Sequence, residues 1–121
     1  MDRISLGFKG ENIVSEYLKK DNFTILENNY RSKCGEIDII AQKDDLIVFV
    51  EVKLRNNPKF SLSNLIPRSK QAKIIMTALN YLATHNITLQ NNILRFDAAL
   101  VEVINDKINL NYIKNAFTRP E

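Results

Sequence analysis

An α/β domain built on a mixed sheet is predicted by three features of the chain. Two β-branched runs flank a short polar turn, an amphipathic helical pattern lies on either side of them, and two more strand-like runs follow. The 121 residues fit a single domain spanning 1–121, and 45% apolar with 26% charged residues is ordinary for a chain that buries its own core. The longest wholly apolar run, Leu46 to Val50, falls far below the ~18 residues of a membrane span. Charges at Asp2, Arg3 and Lys9 argue against a secretory leader. The single cysteine, Cys34, has no partner for a disulfide or a zinc site. A cytoplasmic protein with no membrane partner is therefore expected.

The first element is a helix from about Ile4 to Lys20, because Gly10, Ile13, Val14, Tyr17 and Leu18 recur at helical spacing. Gly7 and Gly10 weaken its first turns, and Gly10 allows close packing on a sheet. Glu11 lies seven residues before Leu18, at the edge of the apolar stripe, where pattern alone makes it a rim residue. Asp21 and Asn22 end the helix, and Phe23, Ile25 and Tyr30 belong to a first strand loosened by Asn28 and Asn29.

The next two strands are 35–41 and 46–53, joined by the turn Gln42-Lys43-Asp44-Asp45. A hairpin centred between Asp44 and Asp45 sets Asp38 opposite Glu51 and Glu36 opposite Lys53, all on one face. Opposed like charges at a Cβ separation of ~4.5–5.5 Å destabilise a sheet. The second strand is apolar on both faces before Glu51, so it is central and buried, with charges at its end. Buried charges must be paired or metal-bound. Two readings stand: a structural ion cluster of Glu36, Asp38, Glu51 and Lys53, or a divalent-cation site with a lysine beside it.

The stretch from Pro58 to Pro67 reads as a loop, either a substrate-facing flap or a connector. Ser69 is placed to cap a second helix running to about Thr84, with Ile74, Ile75, Ala78, Leu79 and Leu82 as its core stripe. Lys70 and Lys73 sit at its start, unfavourably for the helix dipole, so phosphate binding is a job to consider for Lys70; Gln71 is also within reach of the site. His85, at the helix end, suits the dipole and is not a catalytic candidate. Ile93 to Val103 and Lys107 to Ile113 form strands around an Asn105-Asp106 turn. Arg95 and Asp97 share a face as a structural pair, and Phe117 docks on the core.

Gly35-Glu36-Ile37-Asp38 followed by Val48-Phe49-Val50-Glu51-Val52-Lys53 resembles the signature of the YraN-like bacterial family. The resemblance extends to Gly7-Phe8-Lys9-Gly10-Glu11, Arg55, Lys70-Gln71, Arg95-Phe96-Asp97 and Asn115-Ala116-Phe117, in order. Val14 replaces a usual alanine, and Asp21-Asn22 stands where the family favours glycine. That family is similar to archaeal Holliday-junction resolvases and restriction enzymes of the PD-(D/E)xK class. The resemblance implies a restriction-endonuclease-like three-layer fold, with a central sheet of about five strands flanked by helices. It implies Asp38 as the motif aspartate, Glu51 as the acidic residue, Lys53 as the lysine and Glu11 as a helix-borne glutamate, against the rim reading above.

Carboxylates suit a hard cation, so Mg²⁺ or Mn²⁺ is expected on Asp38 and Glu51, with the backbone carbonyl of Val52 as a further oxygen. Lys53 would serve the transition state. Between Arg31 and Lys73 nine basic residues stand against five acidic ones, while the whole chain is +3. Arg31, Lys33, Arg55, Lys59 and Lys70 are accordingly expected on the phosphate backbone of a nucleic acid, with DNA foremost. A homodimer is expected if the substrate is a two-fold junction. Three classes compete: a metal-dependent nuclease hydrolysing phosphodiester bonds, a catalytically weak binding module of the same fold, and a structural protein with an ion network.

Overall fold

The computed structural model describes residues 3–55 and 66–119. Helix α1 (Arg3–Lys20) precedes strands β1 (Thr24–Ser32), β2 (Gly35–Lys43) and β3 (Leu46–Arg55); helix α2 (Arg68–Thr84) then leads to β4 (Ile93–Ile104) and β5 (Lys107–Phe117). The five strands form one sheet in sequence order. All neighbours are antiparallel except β3 and β4, which run parallel across the crossover that contains α2. The sheet is mixed, as expected, and β3 lies at its centre.

Each helix covers one face. Val14 and Leu18 of α1 pack with Ile39, Ala41, Val48, Val50, Ala99 and Val101. Ile74, Ala78, Tyr81 and Leu82 of α2 pack with Ile40, Ile47, Phe49, Phe96 and Phe117 on the other face. Four consecutive residues of β3, Ile47 to Val50, have no exposed surface. This is the three-layer arrangement expected of a restriction-endonuclease-like domain. Gly10 lets α1 approach closely: a Cβ there would stand 3.1 Å from Leu54 and 3.6 Å from Val101.

Helix α1 ends in a Schellman motif. Asn22 adopts φ 68° and donates to the Lys19 carbonyl, while Phe23 donates to that of Leu18. Asparagine tolerates this left-handed position, so it can stand where glycine is favoured. Helix α2 starts differently from expectation. Its N-cap is Pro67, with no side-chain cap, and Ser69 falls inside the first turn. The fixed φ of proline pre-orients the chain one residue ahead of Arg68, and the start shifts with it. Gln71 does not join the acidic residues; its Nε2 donates to the Ile66 carbonyl at 2.9 Å.

The β4–β5 turn holds Asn105 and Asp106 at φ 51° and 61°, the pair of left-handed residues a type I′ hairpin requires. Strand β5 runs on to Phe117, past the end expected at Ile113, through a bulge opposite Asp97. Asp97 is fully buried and accepts from Arg95, the Tyr112 hydroxyl and the backbone of Asn115. The structural role expected for Arg95 and Asp97 fits these bonds. Tyr112 titrates far above its ordinary range, chiefly through burial and then the Asp97 charge. No helix among the described residues is long and apolar enough to cross a membrane.

Candidate functional site

The β2–β3 hairpin closes on Asp44-Asp45, and its pairing from Lys43↔Leu46 to Ile39↔Val50 follows the register read from the sequence. That register would next set Asp38 against Glu51 and Ile37 against Val52. The ladder stops instead, and β3 continues in register with β4 as far as Arg55. The two strands fork. Into the fork goes the carboxylate of Asp38, whose Oδ2 accepts the backbone N–H of Val52 at 2.8 Å. A side chain thus replaces the main-chain partner of Val52. Since a strand residue directs its N–H and C=O to the same side, the Val52 carbonyl faces the fork too.

Two neighbouring distortions accompany the fork. Asn29, opposite Asp38 on β1, has φ 53° and drops out of the β1–β2 pairing. Ile37 and Ile39, only two residues apart, pack into the α2-side and α1-side cores respectively. Strict alternation of faces fails through Asp38, and this carboxylate interacts electrostatically with Glu11 of α1 and Lys70 of α2.

Glu51 is only 6% exposed and lies on the α2 side. Its Oε1 is 2.9 Å from Lys70 Nζ and 3.5 Å from Lys53 Nζ. Glu36, Asp38, Glu51, Ser69, Lys70 and Lys73 line a common cavity of about 320 Å³. Asp38 and Glu51 therefore share one side, as the sequence register requires. Glu11 approaches from α1 and accepts from Asn29 Nδ2 at 3.2 Å. A second cavity of about 270 Å³, lined by Glu11, Asn28 and Asn29 among others, opens on that side.

The electrostatics are unbalanced. The Asp38 carboxyl is raised to about 7, by burial first and the Glu51 charge second; the Val52 N–H opposes, and Glu11 and Glu36 add smaller repulsions. Burial lowers Lys53 below its ordinary value, with Glu51 opposing and Lys70 adding to the depression. Lys70 is held above its ordinary value by its bond to Glu51. Among the described residues no three His, Cys, Asp or Glu side chains form a ready chelating group. A cation would rest on two carboxylates, a carbonyl and oxygens from water or substrate.

The structure thus gathers Asp38, Glu51, Val52, Lys53 and Lys70, and sets Glu11 within electrostatic reach of Asp38. Arg31 and Lys33 are exposed at the β1–β2 turn, where Arg31 pairs with Glu36 at 3.5 Å. Arg55 ends β3, while Lys59 and most of the 58–67 loop lie outside the described residues. Sequence reasoning missed Asn29. Two asparagines in succession read only as a loosened strand, although a left-handed residue opposite an acid is a plausible use of one.

The profile of the uncharacterised protein family UPF0102 matches residues 10–101. A UPF0102 protein of Clostridium perfringens is 43% identical over 120 residues, covering 93% of each chain. One from Clostridioides difficile is 42% identical over 97% of this chain and 100% of its own, and one from Alkaliphilus metalliredigens is 40% identical over 93% and 97%. The matched segment contains Glu11, Asp38, Glu51, Lys53 and Lys70.

Proposed function

The chain belongs to the UPF0102 family, and from that premise we propose that it is a metal-dependent nuclease acting on structured or single-stranded DNA. The observation that carries this reading is the fork: a half-buried, destabilised Asp38 carboxylate beside Glu51 and Lys53, where the β2–β3 ladder opens. Burial and, after it, the charges of Glu51, Glu11 and Glu36 outweigh the Val52 N–H, so the Asp38 carboxyl stays at about 7.

The donor set fits a hard cation such as Mg²⁺ or Mn²⁺, because all its atoms are oxygens and both acids line one open cavity. Asp38, Glu51 and the Val52 carbonyl would hold it, with Glu11 aiding through a bound water. Such an ion supplies Lewis acidity at the phosphate and a more acidic water. The chain's own residues do the rest. Lys53, freed of some of its ordinary basicity, donates to the charge that grows on the phosphoryl oxygens or orients the attacking water. Arg31, Lys33, Arg55, Lys59 and Lys70 would hold the backbone on either side, in a domain that spans the whole chain.

The ion-network reading has one observation in its favour: Lys53 and Lys70 already stand against Glu51. Calorimetric titration of Mn²⁺ into wild type, Asp38→Asn, Glu51→Gln and Lys53→Ala separates the readings, together with cleavage assays on branched, flapped and single-stranded DNA. Both carboxylate variants should lose metal and cleavage. Lys53→Ala should keep metal and lose about 10²–10³ in turnover, as for other transition-state donors. Metal binding without cleavage would leave a binding module. Absence of metal binding even with DNA present, with Asp38→Asn less stable than wild type, would establish the ion network.

A further inference from the structure

Lys70 occupies an unusual place. It is in the first turn of α2, where the dipole disfavours a cation and no acidic residue of that turn offsets it. Its compensation comes from β3 instead: its ammonium meets Glu51 Oε1 at 2.9 Å, the shortest ion pair within this cluster. Lys53 reaches the same oxygen from 3.5 Å. Two ammonium groups therefore serve one carboxylate oxygen. The nearer of the two partners of Glu51, which is only 6% exposed, is thus a side chain that also lines the cavity.

Glu51 cannot give that oxygen to a divalent cation and keep a lysine ammonium at hydrogen-bond distance without bringing like charges together. The Lys70 side chain is 43% exposed, so it has room to leave, whereas Lys53 is fixed on β3 and 29% exposed. Resting on the metal-site reading given above, we propose that Lys70 is a built-in counter-cation of Glu51 that competes with the metal and transfers to a substrate phosphate when metal binds. Metal and nucleic acid then load together. Without a polyanion, displacing Lys70 leaves its charge poorly placed at a helix N-terminus; with one, the freed ammonium finds a phosphate. Lys70 is in this sense a positioning residue that couples the two ligands.

The test is calorimetric titration of Mn²⁺ into wild type, Lys70→Gln and Lys70→Arg, with and without a single-stranded DNA carrying uncleavable phosphorothioate linkages. Without DNA, Lys70→Gln should bind Mn²⁺ about tenfold more tightly than wild type, as loss of a cation from the ligand oxygen requires. Lys70→Arg, which keeps the charge, should stay within about threefold of wild type. The DNA should tighten Mn²⁺ binding in wild type, and tighten it much less in Lys70→Gln. Thermal unfolding provides a second readout: Mn²⁺ should raise the midpoint of Lys70→Gln more than that of wild type. Wild-type metal binding with Lys70→Gln no tighter would overturn the competition while leaving the metal site standing. Equal DNA coupling in wild type and Lys70→Gln would overturn the transfer. If none of the three proteins binds Mn²⁺ with or without DNA, both the inference and the metal-site reading fall.

Discussion

At Asp38 two demands oppose each other. The Val52 N–H favours the carboxylate, while burial and the charges of Glu51, Glu11 and Glu36 favour the neutral acid, and the second set wins. The consequence for stability follows from linkage. With a folded value of about 7 against an ordinary 3.8, the folded state holds a proton between these pH values that the unfolded chain has lost. This contribution is favourable at low pH and is lost as pH rises through about 7. Replacing Asp38 with Asn removes the ionisation and keeps an oxygen for the Val52 N–H. In metal-free buffer Asp38→Asn should therefore be more stable than wild type at pH 8, by roughly 1–3 kcal/mol. The advantage should shrink towards pH 4. Urea unfolding of both proteins across this range checks it, and a wild type that loses stability less steeply than the variant between pH 5 and 8 would contradict the site's electrostatics.

At the scale of elements, what the sequence displays is mostly local. The hairpin register was legible because Asp44-Asp45 and the alternating Ile and Val residues fix it within twenty residues. The end of that ladder was not legible, since it depends on β4 holding β3 from the other side as far as Arg55. The same distance hid the Lys70 contact: a charge on α2 meets one on β3 only after the crossover is built. Ser69 misled because a capping residue type does not outweigh the fixed backbone of Pro67. Gly35 is where element geometry can be tested. Its φ is 151°, and a Cβ there would stand 3.3 Å from Thr77 Oγ1 and 3.5 Å from Lys73 Cβ, so β2 begins pressed against α2. Thr77 is fully buried and donates to the Lys73 carbonyl at 2.7 Å, leaving it little freedom to yield. Gly35→Ala should cost about 1–3 kcal/mol in urea unfolding with an unchanged m-value. A neutral outcome would mean that α2 is not seated on β2 as described.

For the whole molecule, the distribution of charge matters more than its sum. The net charge is only +3, yet the β1–β2 turn carrying Arg31 and Lys33 abuts the part of α2 that carries Lys73. Lys70 lies one turn earlier on the same helix, and Lys73 and Lys70 line the same cavity as Asp38 and Glu51. Basic groups thus border the acids, and on the function proposed above they would draw a polyanion in and leave its phosphate facing the carboxylates across a cation. Contacts of this kind are made to the backbone and carry little base preference. If Arg31, Lys33, Arg55, Lys59 and Lys70 all meet phosphates, fluorescence anisotropy should give log affinity falling linearly with log salt, at a slope of about −3 to −5. Replacing Lys33 with Ala should lessen that slope by about one and weaken unrelated DNA sequences alike. Lys33 is exposed and has no part in the acidic cluster, so its replacement reports on the proposed substrate path and leaves the proposed metal ligands in place. An unchanged slope would move the path away from the β1–β2 turn. Binding absent even at low salt would remove nucleic acid as the partner altogether.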